Sequence, residues 1–105
     1  MSRFLSIVFL VFSICLTANA EDQNQTFTPV GGFIPDEKTA ISVAIAIWNP
    51  IYGEEKIQNQ KPYKAELRDG VWYVAGSNKK GRKGGAAEAE ISKADGRIIA
   101  VSHGK

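Results

Sequence analysis

The chain of 105 residues predicts an α+β fold, with two N-terminal helices packed on one face of a four-stranded antiparallel meander. Three observations lead there. Apolar residues recur at spacings of three and four between Ala40 and Trp48; from Tyr63 the apolar period switches to two; and the dipeptides Asp69-Gly70 and Asp95-Gly96 punctuate the second half as turns.

The first twenty residues read as a leader. Arg3 supplies a short positive region, Phe4 to Leu16 is an apolar run interrupted by Ser6 and Ser13, and Ala18-Asn19-Ala20 is a small-x-small cleavage site. Cleavage after Ala20 is expected, and the run is too short to span a bilayer comfortably. Lipidation of Cys15 or an uncleaved anchor is the competing reading. Residues 21–32 are polar, with Pro29 and Gly31-Gly32, and read as a flexible lead; the domain is expected over residues 33–105. Roughly 85 residues follow the cleavage site, enough for one domain with a modest core.

In the helical half, either Asp36 caps the first amides or Pro35 occupies the first turn, and Glu37 suits the positive end of the helix dipole. Ala40, Ile41, Ala44, Ile47 and Trp48 share a face, widened by Val43 and Ile45. Pro50 is expected to stop this helix at Asn49, which then caps a second short helix running to about Gln58, with Gly53 a weak point inside it.

The strands follow from alternation. Tyr63, Ala65 and Leu67 face opposite Lys64, Glu66 and Arg68, and folding about Asp69-Gly70 sets Leu67 against Trp72 and Ala65 against Val74. A third strand starts near Ala86, with Ala87, Ala89 and Ile91 opposite Glu88 and Glu90, and a fourth covers Arg97 to Ser102. The continuous apolar run Ile98-Ile99-Ala100-Val101 implies partial cover on both faces of that last strand. The expected core is Ile41, Ala44, Trp48, Leu67, Trp72, Val74 and Ile91, with Trp48 and Trp72 meeting where helix covers hairpin.

Composition excludes several functions. Arg3 and Cys15 leave with the leader, so the 13 basic residues fall by one against 11 acidic, and no thiol remains for a disulfide or a nucleophile. That balance predicts neither nucleic-acid nor membrane binding after cleavage. The single His103 stands near the terminus, and the acidic pairs Asp36-Glu37 and Glu54-Glu55 are helix neighbours that do not converge on one ion. No catalytic residue, metal or cofactor is expected.

The surface candidates are three. Glu88 and Glu90 share a strand face, with Glu66 and Arg68 expected on a neighbouring strand: a solvated sheet surface, an acid/base set, or a patch meeting a basic partner. Lys79, Lys80, Arg82 and Lys83 belong to a Gly/Lys loop without Walker spacing or a stacking aromatic: a solvated turn, a contact for an acidic protein surface, or an anion site. Tyr73, on the face opposite Trp72, is a candidate interface anchor.

The segment Ile34-Pro35 through Trp48-Asn49-Pro50-Ile51-Tyr52-Gly53-Glu54-Glu55, with Lys61-Pro62-Tyr63-Lys64-Ala65, Asp69-Gly70-Val71-Trp72, Gly84-Gly85, Asp95-Gly96 and His103-Gly104-Lys105, closely resembles the NTF2-fold immunity proteins of bacteria. The resemblance covers about Phe33 to Lys105. It implies a non-enzymatic protein encoded beside a secreted polymorphic toxin, which it binds and neutralises, here in a shortened NTF2-like or cystatin-like form. With the leader, that places it in the periplasm or outside the cell. The competing readings are a PepSY-like periplasmic binding or inhibitory module, suggested by Glu90 to Ser102, and a small-ligand NTF2-like enzyme.

Overall fold

The computed structural model describes residues 25–78 and 84–104. Its elements are α1 (Glu37–Tyr52), α2 (Glu54–Gln58), β1 (Lys64–Arg68), β2 (Val71–Ala75), β3 (Ala87–Ser92) and β4 (Ile98–His103). The sheet is a meander in the order β1-β2-β3-β4, antiparallel throughout, so the expected α+β architecture is the observed one.

Asp36 is the N-cap of α1, in extended conformation, its carboxylate accepting from the Thr39 amide at 2.8 Å. The helix then passes through Pro50 instead of stopping before it, which corrects the expected break. A proline there removes one hydrogen bond, from residue 50 to the carbonyl of Ala46, and both residues face solvent. Water can take that carbonyl, and only half a turn of helix remains to be distorted. Gly53 ends α1 instead. Its φ of 102° belongs to the region that glycine occupies without strain, and its amide still closes the last turn on Asn49 O at 2.9 Å. Asn49 therefore caps nothing. α2 starts from Gly53 and ends at Gln58, as expected.

Asp69 and Gly70 both have positive φ, 50° and 77°, the signature of a type I′ turn matched to strand twist. The register that follows pairs Leu67 with Trp72 and Ala65 with Val74, as alternation required. β3 pairs Trp72 with Ile91 and Val74 with Ala89. On β4 the register shifts: Glu90 faces Ala100 and Ile91 faces Ile98, which leaves Ile99 as an extra residue with no partner on β3.

The core lies between α1 and the sheet. Ala40, Ala44 and Trp48 of α1, Ile57 of α2, and Trp72, Val74, Ala87, Ala89 and Ile91 of the sheet are buried, with Ile34 closing one end. Ile41 is half-buried against this cluster. Leu67 is 42% exposed and is not core: it lies on edge strand β1, near the hairpin tip, where the sheet has no further strand to cover it. The small alanines at 40, 44, 87 and 89 let helix and sheet approach around the two indoles. The ring beside Trp48 is Tyr63, at 6.1 Å between centroids. Each indole N–H is satisfied by backbone, Trp48 donating to Glu88 O at 3.2 Å and Trp72 to Ile34 O at 2.8 Å. α1 packs across β1, β2 and β3, so β4 lies beyond it, and Ile99 and Ala100 are exposed. Partial cover on both faces of β4 is therefore not found.

A polar joint locks the other end of the molecule. Gln60 is buried, and its Oε1 accepts from the Ala87 amide at 2.8 Å, which orients the amide group and leaves Nε2 facing His103 Nε2 at 3.1 Å. His103 Nδ1 lies 3.0 Å from Gly104 O, a pure acceptor, so Nδ1 carries the proton and Nε2 accepts from Gln60. The Tyr52 ring packs against the imidazole in a tilted arrangement, 5.0 Å between centroids.

Candidate interaction surface

Alternation decides what the outer face of the sheet, away from α1, presents. β1 contributes Lys64, Glu66 and Arg68, β2 Tyr73 and Ala75, β3 Glu88 and Glu90, and β4 Ala100 and Ser102. One row across the strands reads Glu66-Tyr73-Glu90-Ala100, and the next reads Lys64-Ala75-Glu88-Ser102. Tyr73 is thus bracketed by a carboxylate on each side. The small side chains of Ala75, Ala100 and Ser102 keep the neighbouring surface low.

The result is an open depression of about 680 Å³ over this face, lined also by Glu37 from the first turn of α1. Its charged lining is Glu37, Glu66, Glu88 and Glu90 against Lys64 and Arg68, an acidic balance. Arg68 lays its guanidinium over the Tyr73 ring, 3.9 Å from the centroid, and reaches Glu66 at 3.6 Å. Both partners of that ion pair are more than half exposed. An exposed ion pair contributes ~0.2–1 kcal/mol and an exposed cation–π contact ~0.5–1 kcal/mol, so this arrangement is easily exchanged. Among the described residues, Glu37, Glu88 and Glu90 have no ion-pair partner.

The structure therefore brings Tyr73, Glu88 and Glu90 together on one half-exposed face, but Glu66 and Arg68 are not on the strand next to the two glutamates as expected: β2, with Tyr73, lies between. Lys79, Lys80, Arg82 and Lys83 lie outside the described residues. Sequence reasoning missed the Arg68–Tyr73 stack, although hairpin register gives the signal: Arg68 opposes Val71, which makes Tyr73 its diagonal neighbour on the same face.

A smaller hollow of about 280 Å³ lies between α1 and α2, walled by Ile45, Ile57 and Tyr63 with Asn49, Glu54 and Lys61. Oδ1 of Asn49 is buried without a hydrogen-bond partner. Burial pushes the Tyr63 phenol above its ordinary pKa, and its hydroxyl donates to Ile57 O at 2.8 Å. The Asp36 carboxyl is held below the usual range by hydrogen bonds from the Thr39 side chain and then its amide; Asp95 is lowered first by the Arg97 amide and then by Ser92. These two acids stabilise a helix start and a turn. Both ring nitrogens of His103 are engaged structurally, and among the described residues no three His, Cys, Asp or Glu side chains group as metal ligands. No helix among them is long and apolar enough to cross a membrane.

The structure is thus a short α+β domain with an open, acidic, aromatic-bearing sheet face. The chain matches the model of the NTF2 fold immunity proteins over residues 39–105, from the first turn of α1 onward, and it belongs to that family. No curated protein and no solved structure matches it.

Proposed function

We propose that the protein is exported and neutralises a cognate bacterial toxin by binding it, with the outer sheet face as the contact surface and no chemical step of its own. The observation that carries this reading is the family match, which takes in most of α1, α2 and all four strands. An immunity role follows from membership; the toxin as direct partner is the further step. Two features support it. The outer face offers an aromatic side chain at the centre of a charged surface, the arrangement that anchors protein interfaces. The lone histidine is engaged structurally, its Nε2 tying the end of β4 to Gln60 and its Nδ1 bonded locally to Gly104 O. Export rests on the leader-like character of residues 1–20 and places the encounter in the periplasm or outside the cell.

The test is co-expression with the product of the neighbouring gene, with the toxin directed to the periplasm. Growth rescue together with a co-purifying complex is expected. A toxic neighbour that is neither rescued nor bound, or rescue that survives loss of the complex, overturns the reading.

A further inference from the structure

We infer that the outer sheet face docks an arginine-bearing extended segment of its protein partner, with one guanidinium stacked on Tyr73 between Glu66 and Glu90. This deepens the proposed function and rests on it. The cross-strand row fixes a π-face between two carboxylates, each directly opposed to Tyr73, on β1 and β3. A planar cation fits that setting better than a compact ammonium, because it stacks on the ring and offers edge N–H donors to both flanking acids. The chain already shows the fit: its own Arg68 lies on the Tyr73 ring and meets Glu66, an internal stand-in for the ligand. That stand-in satisfies Glu66 and leaves Glu90 and Glu88 unpaired among the described residues. Beyond the ring, Ala75, Ala100 and Ser102 leave the depression open along the strands, with room for backbone on either side of the docked side chain. The acidic lining selects against an acidic partner segment, since like charges at such spacing repel.

The sign of one substitution separates this assignment from its opposite. Arg68→Ala vacates the ring and removes a competing positive charge, so binding of a guanidinium ligand should tighten about threefold. If Arg68 is itself the contact for an acidic partner, the same change weakens binding. The probe is the capped peptide Gly-Arg-Gly-Arg-Gly, titrated into the isotopically labelled protein at low salt and followed by amide and Tyr73 ring shifts. Citrulline and lysine versions of the peptide serve as comparisons. Shifts centred on Glu66, Tyr73, Glu90 and Ala100 are expected, strongest for arginine, absent for citrulline and reduced by added salt. The paired change Glu66→Gln and Glu90→Gln should weaken binding about tenfold, roughly threefold for each exposed pair lost. Tyr73→Phe should retain binding and Tyr73→Leu should lose it. Equal binding of the citrulline peptide, shifts on another face, or weakening by Arg68→Ala overturns the assignment. The immunity reading is scored separately by growth rescue: rescue without peptide binding sinks only the guanidinium site, and peptide binding without rescue sinks only the immunity reading.

Discussion

Replacing Gln60 with methionine tests whether one side chain joins the helical layer to both strands at one end of the β3–β4 ladder, where Ala87 opposes His103. Methionine keeps the length and lack of branching of glutamine, so little packing volume is lost, but both polar contacts disappear. The Ala87 amide, on a residue with no exposed surface, then has no acceptor in place of the Gln60 oxygen at 2.8 Å. A buried donor left unpaired costs ~1–3 kcal/mol. The loss at His103 is smaller, because that ring is only half-buried and water can replace the Gln60 donor. A net loss of about 2 kcal/mol is expected. For a domain this small, that lowers the melting temperature by roughly 8–16 °C, a shift thermal unfolding monitored by circular dichroism resolves. Exchange of the Ala87 amide should accelerate in step with the global loss. Gly76→Ala should reproduce the effect from the other side, since a Cβ there would lie 2.5 Å from Gln60 Oε1 and 2.9 Å from its Cβ and push the side chain off Ala87. A Gln60→Met protein within about 0.5 kcal/mol of the parent, a change typical of neutral surface substitutions, with Ala87 still protected, refutes the reasoning.

Other expectations follow from burial and backbone. Ile91→Ala should cost ~2–5 kcal/mol in urea unfolding because the site is fully buried, whereas Leu67→Ser should stay within about 0.5 kcal/mol; equal losses would restore Leu67 to the core. Gly53→Ala should lose ~1–3 kcal/mol although a Cβ there meets nothing within 4 Å, since the cost lies in φ and not in contact. The lowered Asp36 and Asp95 carboxyls contribute stability above about pH 4, the unfolded value, and lose it as pH falls through their lower folded values; Asp36→Asn should remove the helix-start share of that acid transition. Tyr63 acts in the opposite sense. Its raised pKa favours the neutral phenol in the fold, so this contribution is complete below about pH 10 and fades as pH rises through the folded value. Tyr63→Phe should abolish the alkaline phase, as unfolding measured between pH 8 and 11 would reveal.

The strand half of the fold was legible because alternation and turn chemistry agree. Asp69-Gly70 specifies a type I′ turn, which sets Leu67 opposite Trp72 and Glu66 opposite Tyr73, and the separate β2–β3 pairing then brings Glu90 to the other side of Tyr73. Burial was harder to read, since Leu67 has the right periodicity but sits on the outermost strand. At Asn49-Pro50 the local rule lost to position: a proline in the last turn costs one solvent-facing hydrogen bond, less than the packing that holds Trp48 and Tyr52 on the same helix. Gln60 gave no signal at all. A lone glutamine after a short helix looks like surface, and only the three-dimensional return of Ala87 and His103 makes it a joint. Of the surface, Tyr73, Glu88 and Glu90 could be grouped from register, which also makes Arg68 the diagonal neighbour of Tyr73; that the guanidinium lies on the ring is set by the Arg68 rotamer.

The extra residue on β4 bears on how the protein behaves at high concentration. β4 is an edge strand with neither a charged side chain nor a proline, the composition that invites another chain to zip on. Its partner at the far edge, β1, carries Lys64, Glu66 and Arg68. What β4 has instead is Ile99, unmatched on β3, which kinks the strand and spoils the straight row of amides a growing fibril needs. Deleting Ile99 would join Ile98 directly to Ala100 without changing which face either one occupies. We predict that this shortened chain folds but polymerises, seen as rising light scattering in a concentrated sample that stays clear for the parent. On this view a residue that contributes to neither core nor contact surface keeps the protein soluble.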